Sequence, residues 1–146
     1  VVDAGTPQAP HYILKPTIRL VVDGEAGWIH GPVVLSDLPV AATSVVAYAY
    51  ADGTWSDSET EEPIEETESR FENAITSAVA CVDADSVECS YKIPFLTAGV
   101  YDIAVALFDT NGSYIQMWGF YNDAEVIESK GTTVELSSDN LSATLN

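Results

Sequence analysis

Apolar and polar residues alternate along much of this chain, the pattern of a β-strand with one buried face. The clearest case runs from Trp28 to Leu35. We assign one side of this strand to the core, namely Ile29, Gly31, Val33 and Leu35. The other side carries Trp28, His30, Pro32 and Val34. The stretches Tyr12 to Val22 and Thr43 to Tyr50 alternate in the same way and are also predicted to be strands.

The second half of the chain predicts further strands, at Ser90 to Leu96, Gly99 to Asp109, Ser113 to Tyr121, Thr132 to Leu136 and Ser142 to Asn146. In the strand predicted at Ser113 to Tyr121, alternation puts four side chains on one face, namely Tyr114, Gln116, Trp118 and Phe120. Short strands at this spacing, joined by turns such as Asn111-Gly112, predict an all-β protein. We expect an antiparallel β-sandwich of about seven strands, with residues 1–10 as a linker or processed N-terminus and residues 11–146 as one domain.

One long segment interrupts the strand pattern. Nine acidic residues and a single arginine lie between Asp52 and Glu72, a density that favours a solvated loop. A short helix within Pro63 to Ser77 is the favoured alternative, because its first turn would be acidic. Its buried stripe would consist of Ile64, Phe71, Ile75 and Val79. We therefore expect an acidic insertion that holds one short helix.

Charge and hydropathy narrow the set of partners. The 146 residues include 23 Asp and Glu against 5 Lys and Arg, a formal net charge of −18. Nucleic acid is excluded as a partner, because phosphate binding needs clustered cations. No apolar run has the length of a membrane-spanning helix, so no membrane insertion is expected. Mutual repulsion between copies favours a monomer.

The two cysteines, Cys81 and Cys89, bracket a short acidic loop. We favour a disulfide between them over two free thiols or half of a metal site, since the chain has no other cysteine and its histidines lie far away in sequence. A disulfide indicates an oxidising compartment. The expected location is therefore secreted, periplasmic or at the cell surface.

Three segments share a looser pattern of turns and strands. They are Gly31-Pro-Val33 with Leu38 to Ala47 (LPVAATSVVA), then Tyr91 to Ile103 (YKIPFLTAGVYDI), then Lys130 to Leu136 (KGTTVEL). Together they cover about half of the chain and resemble the carboxypeptidase-regulatory-like domains, a transthyretin-like group that includes the Cna-B-type repeats. The resemblance implies a transthyretin- or immunoglobulin-like sandwich with a structural, adhesive or ligand-binding role, such as a module of a bacterial lipoprotein.

Catalytic residues are not recognisable in the sequence. Acyl transfer needs a nucleophile, a base and an orienting group, but the only histidines are His11 and His30, and no Gly-x-Ser-x-Gly motif is present. Pairs of carboxylates are uninformative in so acidic a chain. We expect no enzymatic activity, no cofactor and no catalytic residue.

Calcium is the metal that the acidic loops could hold, because hard cations take oxygen ligands. The candidate ligands are Asp83, Asp85 and Glu88 in the cysteine loop and Asp109 and Asn111 in the Asp-Thr-Asn-Gly turn. Acidic turn residues also occur commonly without a metal.

Carbohydrate binding is the main alternative function, because exposed aromatic rings serve as platforms for sugars. The candidate ligand-binding residues are Trp55, Trp118 and Tyr121. Trp55 lies in the acidic segment and is expected to be exposed, whereas Trp118 fits either a ligand face or the core. The expected partner is a protein or a glycan at a cell surface.

Overall fold

The computed structural model describes residues 25–33, 39, 41–64, 69–80 and 89–136. Within these ranges the chain forms seven strands: β1 (Gly27–Val33), β2 (Ser44–Ala51), β3 (Thr76–Ala80), β4 (Cys89–Leu96), β5 (Gly99–Phe108), β6 (Tyr114–Val126) and β7 (Gly131–Thr133). The linker 1–10, the strand predicted at Tyr12 to Val22 and the strand predicted at Ser142 to Asn146 lie outside the described residues.

The strands form two sheets, so the expected all-β sandwich is confirmed. One sheet has three strands in the order β4-β1-β7, and the other has four in the order β3-β2-β5-β6. The pairs within the four-stranded sheet are antiparallel. In the three-stranded sheet β1 pairs antiparallel with β4 but parallel with β7, through Trp28 opposite Gly131 and His30 opposite Thr133. The short β7 therefore departs from a purely antiparallel sandwich.

The core between the sheets follows the predicted alternation. Ile29 and Val33 of β1 are buried in it, together with Val45, Ala47 and Ala49 of β2. The opposite side of β1, with Trp28, His30 and Pro32, faces away from this core, as the sequence pattern predicts. A buried hydrogen bond also joins β4 to the segment after β7: the Tyr91 hydroxyl donates to the carbonyl oxygen of Val134, at 2.8 Å.

Bulges in β6 break the simple alternation of that strand. The register of β5 and β6 shifts at three places, and one shift leaves Trp118 between Met117 and Gly119, the residues that pair with Ala106 and Val105. Each extra residue inverts the alternation that follows it, so the shift after Tyr114 brings Trp118 to the core side and the shift at Trp118 returns Phe120 to the outer side. As a result Trp118 enters the core between the sheets, while Phe120 and Tyr114 lie on the opposite face. The expectation that these three side chains share one face is wrong.

The acidic insertion covers the outer face of the four-stranded sheet. A second apolar cluster forms there, which we call the outer cluster; its members include Tyr48, Tyr50, Trp55, Phe71, Phe108, Tyr114 and Phe120. Trp55 and Phe71 come from the insertion and the rest of these from the sheet. The rings of Tyr48 and Phe71 stack with centroids 4.1 Å apart. The insertion is therefore a packed part of the fold, although it is highly charged.

A buried glutamate fastens the insertion to the sheet. Glu59 is only 7% exposed, and its Oε2 accepts hydrogen bonds from the Tyr50 hydroxyl at 3.0 Å and the Asn73 backbone N–H at 3.1 Å. The Asn73 side-chain amide donates to its other oxygen. These donors offset the cost of removing the carboxylate from water. Glu59 thus joins the insertion to β2 and to Asn73, the residue that follows the insertion.

A short helix of the insertion lies before the stretch in which one is expected. A 3-10 helix spans Asp57–Thr60, and its N-cap Ser56 accepts a hydrogen bond from the Ser58 N–H. The described residues between Pro63 and Ser77 contain no helix. Ile64, expected in the buried stripe from its spacing, is 94% exposed, whereas Phe71 is buried. Phe71 is buried from a turn, with a φ of 59°, and not from a helical face.

Across the described ranges, no helix combines the length and the apolar character needed to cross a bilayer.

Replacing Glu59 tests whether the insertion is anchored as described. Glu59→Ala leaves the Tyr50 hydroxyl and the Asn73 N–H without their acceptor, so we expect the free energy of unfolding to fall by about 1–3 kcal/mol. Glu62→Ala, which removes an exposed charge from the same insertion, should change it by no more than about 0.5 kcal/mol. Urea denaturation measures both variants, and equal effects would contradict the anchoring role.

The buried tyrosines predict a loss of stability in alkali. Burial raises the pKa of Tyr48 to about 12 and raises the pKa of Tyr91 as well. For Tyr50 burial is again the main cause of a raised pKa, followed by the negative charge of Glu59. A raised pKa in the folded state means that the stabilisation is complete below the ordinary tyrosine pKa of about 10 and is lost as the pH rises through the folded value.

We therefore expect the free energy of unfolding to decline between about pH 10 and pH 12. Ultraviolet absorbance of phenolate should show these tyrosines ionising together with the loss of near-ultraviolet circular dichroism. Complete ionisation of all seven tyrosines near pH 10 with the fold intact would contradict the burial.

Candidate functional site

The outward side of the three-stranded sheet gathers polar and aromatic side chains. We call this surface the Trp28 face; it consists of Trp28, His30, Pro32, Ser90, Lys92 and Thr133, which line a groove of about 490 Å³. These residues point outward because their neighbours in sequence, such as Ile29 and Ile93, are buried between the sheets. His30 pairs directly with Lys92 of β4 and with Thr133 of β7, so the face spans all three strands.

A glycine makes room for the indole ring of Trp28. Trp28 pairs with Gly131 of β7, and a Cβ atom added to Gly131 would overlap Nε1 of Trp28. The same Cβ would come within 2.7 Å of Trp28 Cε2 and 2.9 Å of His30 Nε2. The indole and the imidazole therefore both lie against the bare backbone of β7. Trp28 is half-buried by this contact and keeps part of its ring accessible.

A cation lies close to the same ring. The Lys92 ammonium nitrogen is 5.1 Å from the centroid of the Trp28 ring, within the range of a cation–π contact. None of the described residues that line the groove is acidic. The face thus offers an aromatic surface, an imidazole, an ammonium and hydroxyl groups. This combination of one apolar surface with a few polar groups is typical of ligand-binding sites.

The aromatic residues chosen from the sequence lie elsewhere. Trp55 packs in the outer cluster, with ring centroids 5.1 Å from Tyr50 and 5.3 Å from Phe120. Trp118 is 2% exposed, and its Nε1 has no hydrogen-bond partner among the described residues. Tyr121 is half-buried against the core between the sheets. Trp28 was not among the residues chosen as binding candidates, although the alternation placed it on the non-core side of its strand.

The calcium candidates divide into two groups. Asp83, Asp85 and Glu88 lie outside the described residues. In the β5–β6 turn, Oδ1 of Asp109 accepts hydrogen bonds from the backbone N–H groups of Asn111, at 2.8 Å, and Ser113, at 2.9 Å. These bonds give Asp109 a role in closing the hairpin. The calcium expectation stays a prediction.

Cys89, at the start of β4, is disulfide-bonded. Cys81, the other cysteine of the sequence, lies outside the described residues.

A group of three carboxylates that no sequence motif marks lies at the edge of the outer cluster. Oxygen atoms of Asp52, Asp102 and Asp123 lie within 4.8 Å of one another, close enough to share a cation. Asp102 is 4% exposed and accepts hydrogen bonds from the N–H of Gly53 at 3.0 Å and of Asp123 at 3.4 Å. It thereby joins the start of the insertion to a bulge of β6, which accounts for its burial without a metal.

Comparisons with known proteins assign no function. No family model and no curated protein matches the chain. Among solved structures, a leucine-rich repeat protein from Bacteroides thetaiotaomicron is similar over 77% of this chain, with 13% sequence identity and a TM-score of 0.45. The match spans 12% of that protein's length. The resemblance to carboxypeptidase-regulatory-like domains therefore stays a prediction.

Asp102 provides a test of the carboxylate group. Asp102→Ala leaves the N–H groups of Gly53 and Asp123 unpaired, and we expect a loss of about 1–3 kcal/mol in the free energy of unfolding. Asp52→Ala removes only an exposed like charge and should be neutral or slightly stabilising. Urea denaturation in chelator compares the two variants, and a loss as large in Asp52→Ala would contradict this account.

Proposed function

We propose that the chain is a non-catalytic binding module of a secreted or cell-surface protein and that it binds a saccharide on the Trp28 face. The observation that carries this proposal is Trp28 itself, a partly accessible indole held against Gly131 on the outward side of a sheet. The other two tryptophans are packed in the outer cluster and in the core. The alternative, a structural or adhesive module that binds another protein, uses the same surface.

A sugar ring suits the chemistry of this face. A pyranose has an apolar side of C–H groups, which can pack on an indole, and a rim of hydroxyl groups that need hydrogen-bond partners. His30, Ser90 and Thr133 supply donors and acceptors around the ring. A strand-based site is also rigid, so little conformational entropy is lost on binding.

The composition of the face favours binding over catalysis. Among its described residues, His30 is accompanied by no carboxylate that could orient it and by no cysteine nucleophile. A lone imidazole next to an ammonium group lacks the acid and base pair that glycoside hydrolysis requires. We therefore assign the face to recognition.

Two observations support the location. Cys89 is disulfide-bonded, and disulfides persist mainly in oxidising compartments. The transthyretin-like resemblance points to the modules of surface proteins in the same way. A monomer is proposed because a net charge of −18 makes copies of the chain repel each other.

Removal of the indole tests the proposed function. We expect the wild-type protein to bind at least one member of a broad panel of polysaccharides in affinity gels. Trp28→Ala should weaken that binding about tenfold or more, because the ring supplies most of the buried apolar contact. Isothermal titration with the oligosaccharide of the best polymer gives the affinities.

Two controls separate a lost contact from a lost fold. Val79→Ala removes an exposed apolar side chain from the other sheet and should leave binding unchanged. Trp28→Tyr, which retains a ring, should restore part of the affinity, and thermal melts verify that each variant is folded. A wild-type protein that binds none of the panel overturns the saccharide proposal and leaves a protein partner as the alternative.

A further inference from the structure

Charge is unevenly distributed over the described surface. A groove on the insertion, of about 310 Å³, is lined by four glutamates: Glu59, Glu61, Glu62 and Glu72. A third groove, between β5 and the end of β6, is lined by Glu125 and Glu128. In contrast, the groove of the Trp28 face is lined by Lys92 and His30 and by no acidic residue among those described. In a chain with 23 acidic residues, this face is set apart by its charge.

The few cations of the described chain are also placed unequally. Arg70 already has partners in the fold. Its Nε donates to the Thr60 carbonyl oxygen at 3.0 Å within the insertion, and its guanidinium stacks on Tyr114 of β6. Lys130 is exposed and lies outside the lining of the Trp28 face. The ammonium of Lys92 lies over the Trp28 ring itself, so a ligand that packs on this face of the ring displaces the flexible lysine side chain. The displaced ammonium stays within reach of a group carried by that ligand.

From this arrangement we infer that the ligand of the Trp28 face is an anionic saccharide, one whose sugar rings carry a carboxylate or a sulfate. The inference rests on the proposed function and adds the class of sugar. A sugar ring packed on Trp28 meets the ammonium of Lys92, which lies over the indole at 5.1 Å from its centroid and can turn to pair with an acidic substituent of that sugar. His30, opposite Lys92 in the register of β1 and β4, lies beside the same position.

The surrounding charge restricts how such a ligand binds. Acidic grooves elsewhere repel a polyanion, so contact is confined to the Trp28 face. One ammonium balances few charges, which suits a saccharide with separated acidic groups and not a densely charged polymer. Pairing with Lys92 then selects acidic over neutral sugars.

A matched pair of ligands tests the inference directly. Oligogalacturonate and its methyl ester share the same ring but differ in charge, and sulfated galactan fragments and their neutral desulfated forms do the same for sulfate. Isothermal titration of the wild-type protein should show about tenfold tighter binding of the charged member of at least one pair. Which pair shows the difference identifies carboxylate or sulfate as the recognised group.

Charge-matched variants locate the effect. Lys92→Met should abolish the preference by weakening the charged ligand about tenfold, while the neutral ligand is affected less than about twofold. Lys130→Met makes the same change of charge outside the groove and should keep the preference. Lys92→Arg, which retains the cation, should keep the preference for the charged ligand. Thermal melts show that each variant is folded.

The outcomes are distinguishable. Equal affinity for charged and neutral members, with both lost in Trp28→Ala, overturns the anionic class and leaves the proposed function standing. A preference that survives in Lys92→Met overturns the role given to Lys92. No binding of either member by the wild-type protein, together with an empty polysaccharide panel, overturns both the inference and the proposed function.

Discussion

The four-stranded sheet is apolar on both faces, and the rest of the structure depends on covering both. Its inner face packs on the three-stranded sheet, with Ile103 and Val105 of β5 in the core. Its outer face carries Tyr50 and Phe120. If these side chains were exposed to water, they would form an aggregation-prone surface. The insertion covers this face, because its Trp55 and Phe71 side chains pack on the sheet. A highly charged segment can do so because its described carboxylates are exposed, apart from Glu59, whose hydrogen-bond donors are supplied by the fold.

The three-stranded sheet is built differently, since its outward side is polar. Trp28 is a large aromatic group on that side, and it is accommodated by the absence of a side chain at Gly131. The pairing of β1 with β7 brings the two residues together although they are far apart in the chain. A binding face and a structural core therefore share one strand, with alternate residues of β1 serving each purpose.

Bulges explain why β6 was harder to interpret from sequence than β1. In β1 the alternation of buried and outward residues agrees with the sequence pattern from Trp28 to Val33. In β6 the extra residues opposite β5 change which face each later side chain occupies, so Trp118 and Phe120 separate. One of these bulges also brings the N–H of Asp123 to the carboxylate of Asp102. Nothing local in the sequence marks such positions, because a bulge is set by the strand on the other side of the ladder.

Local patterns were sufficient to predict six of the seven described strands, the all-β sandwich, the acidic insertion and the outward position of Trp28 and His30, because each depends on neighbouring residues and on a period of two. The remaining strand, β3, was missed because its residues were assigned to a helical stripe and a loop. Tertiary structure alone decided that Lys92 and Gly131 meet Trp28, that Glu59 is buried, and that three aspartates converge. Those contacts join strands and loops distant in sequence. Their partners are chosen by sheet order and register, which periodicity along one chain does not encode.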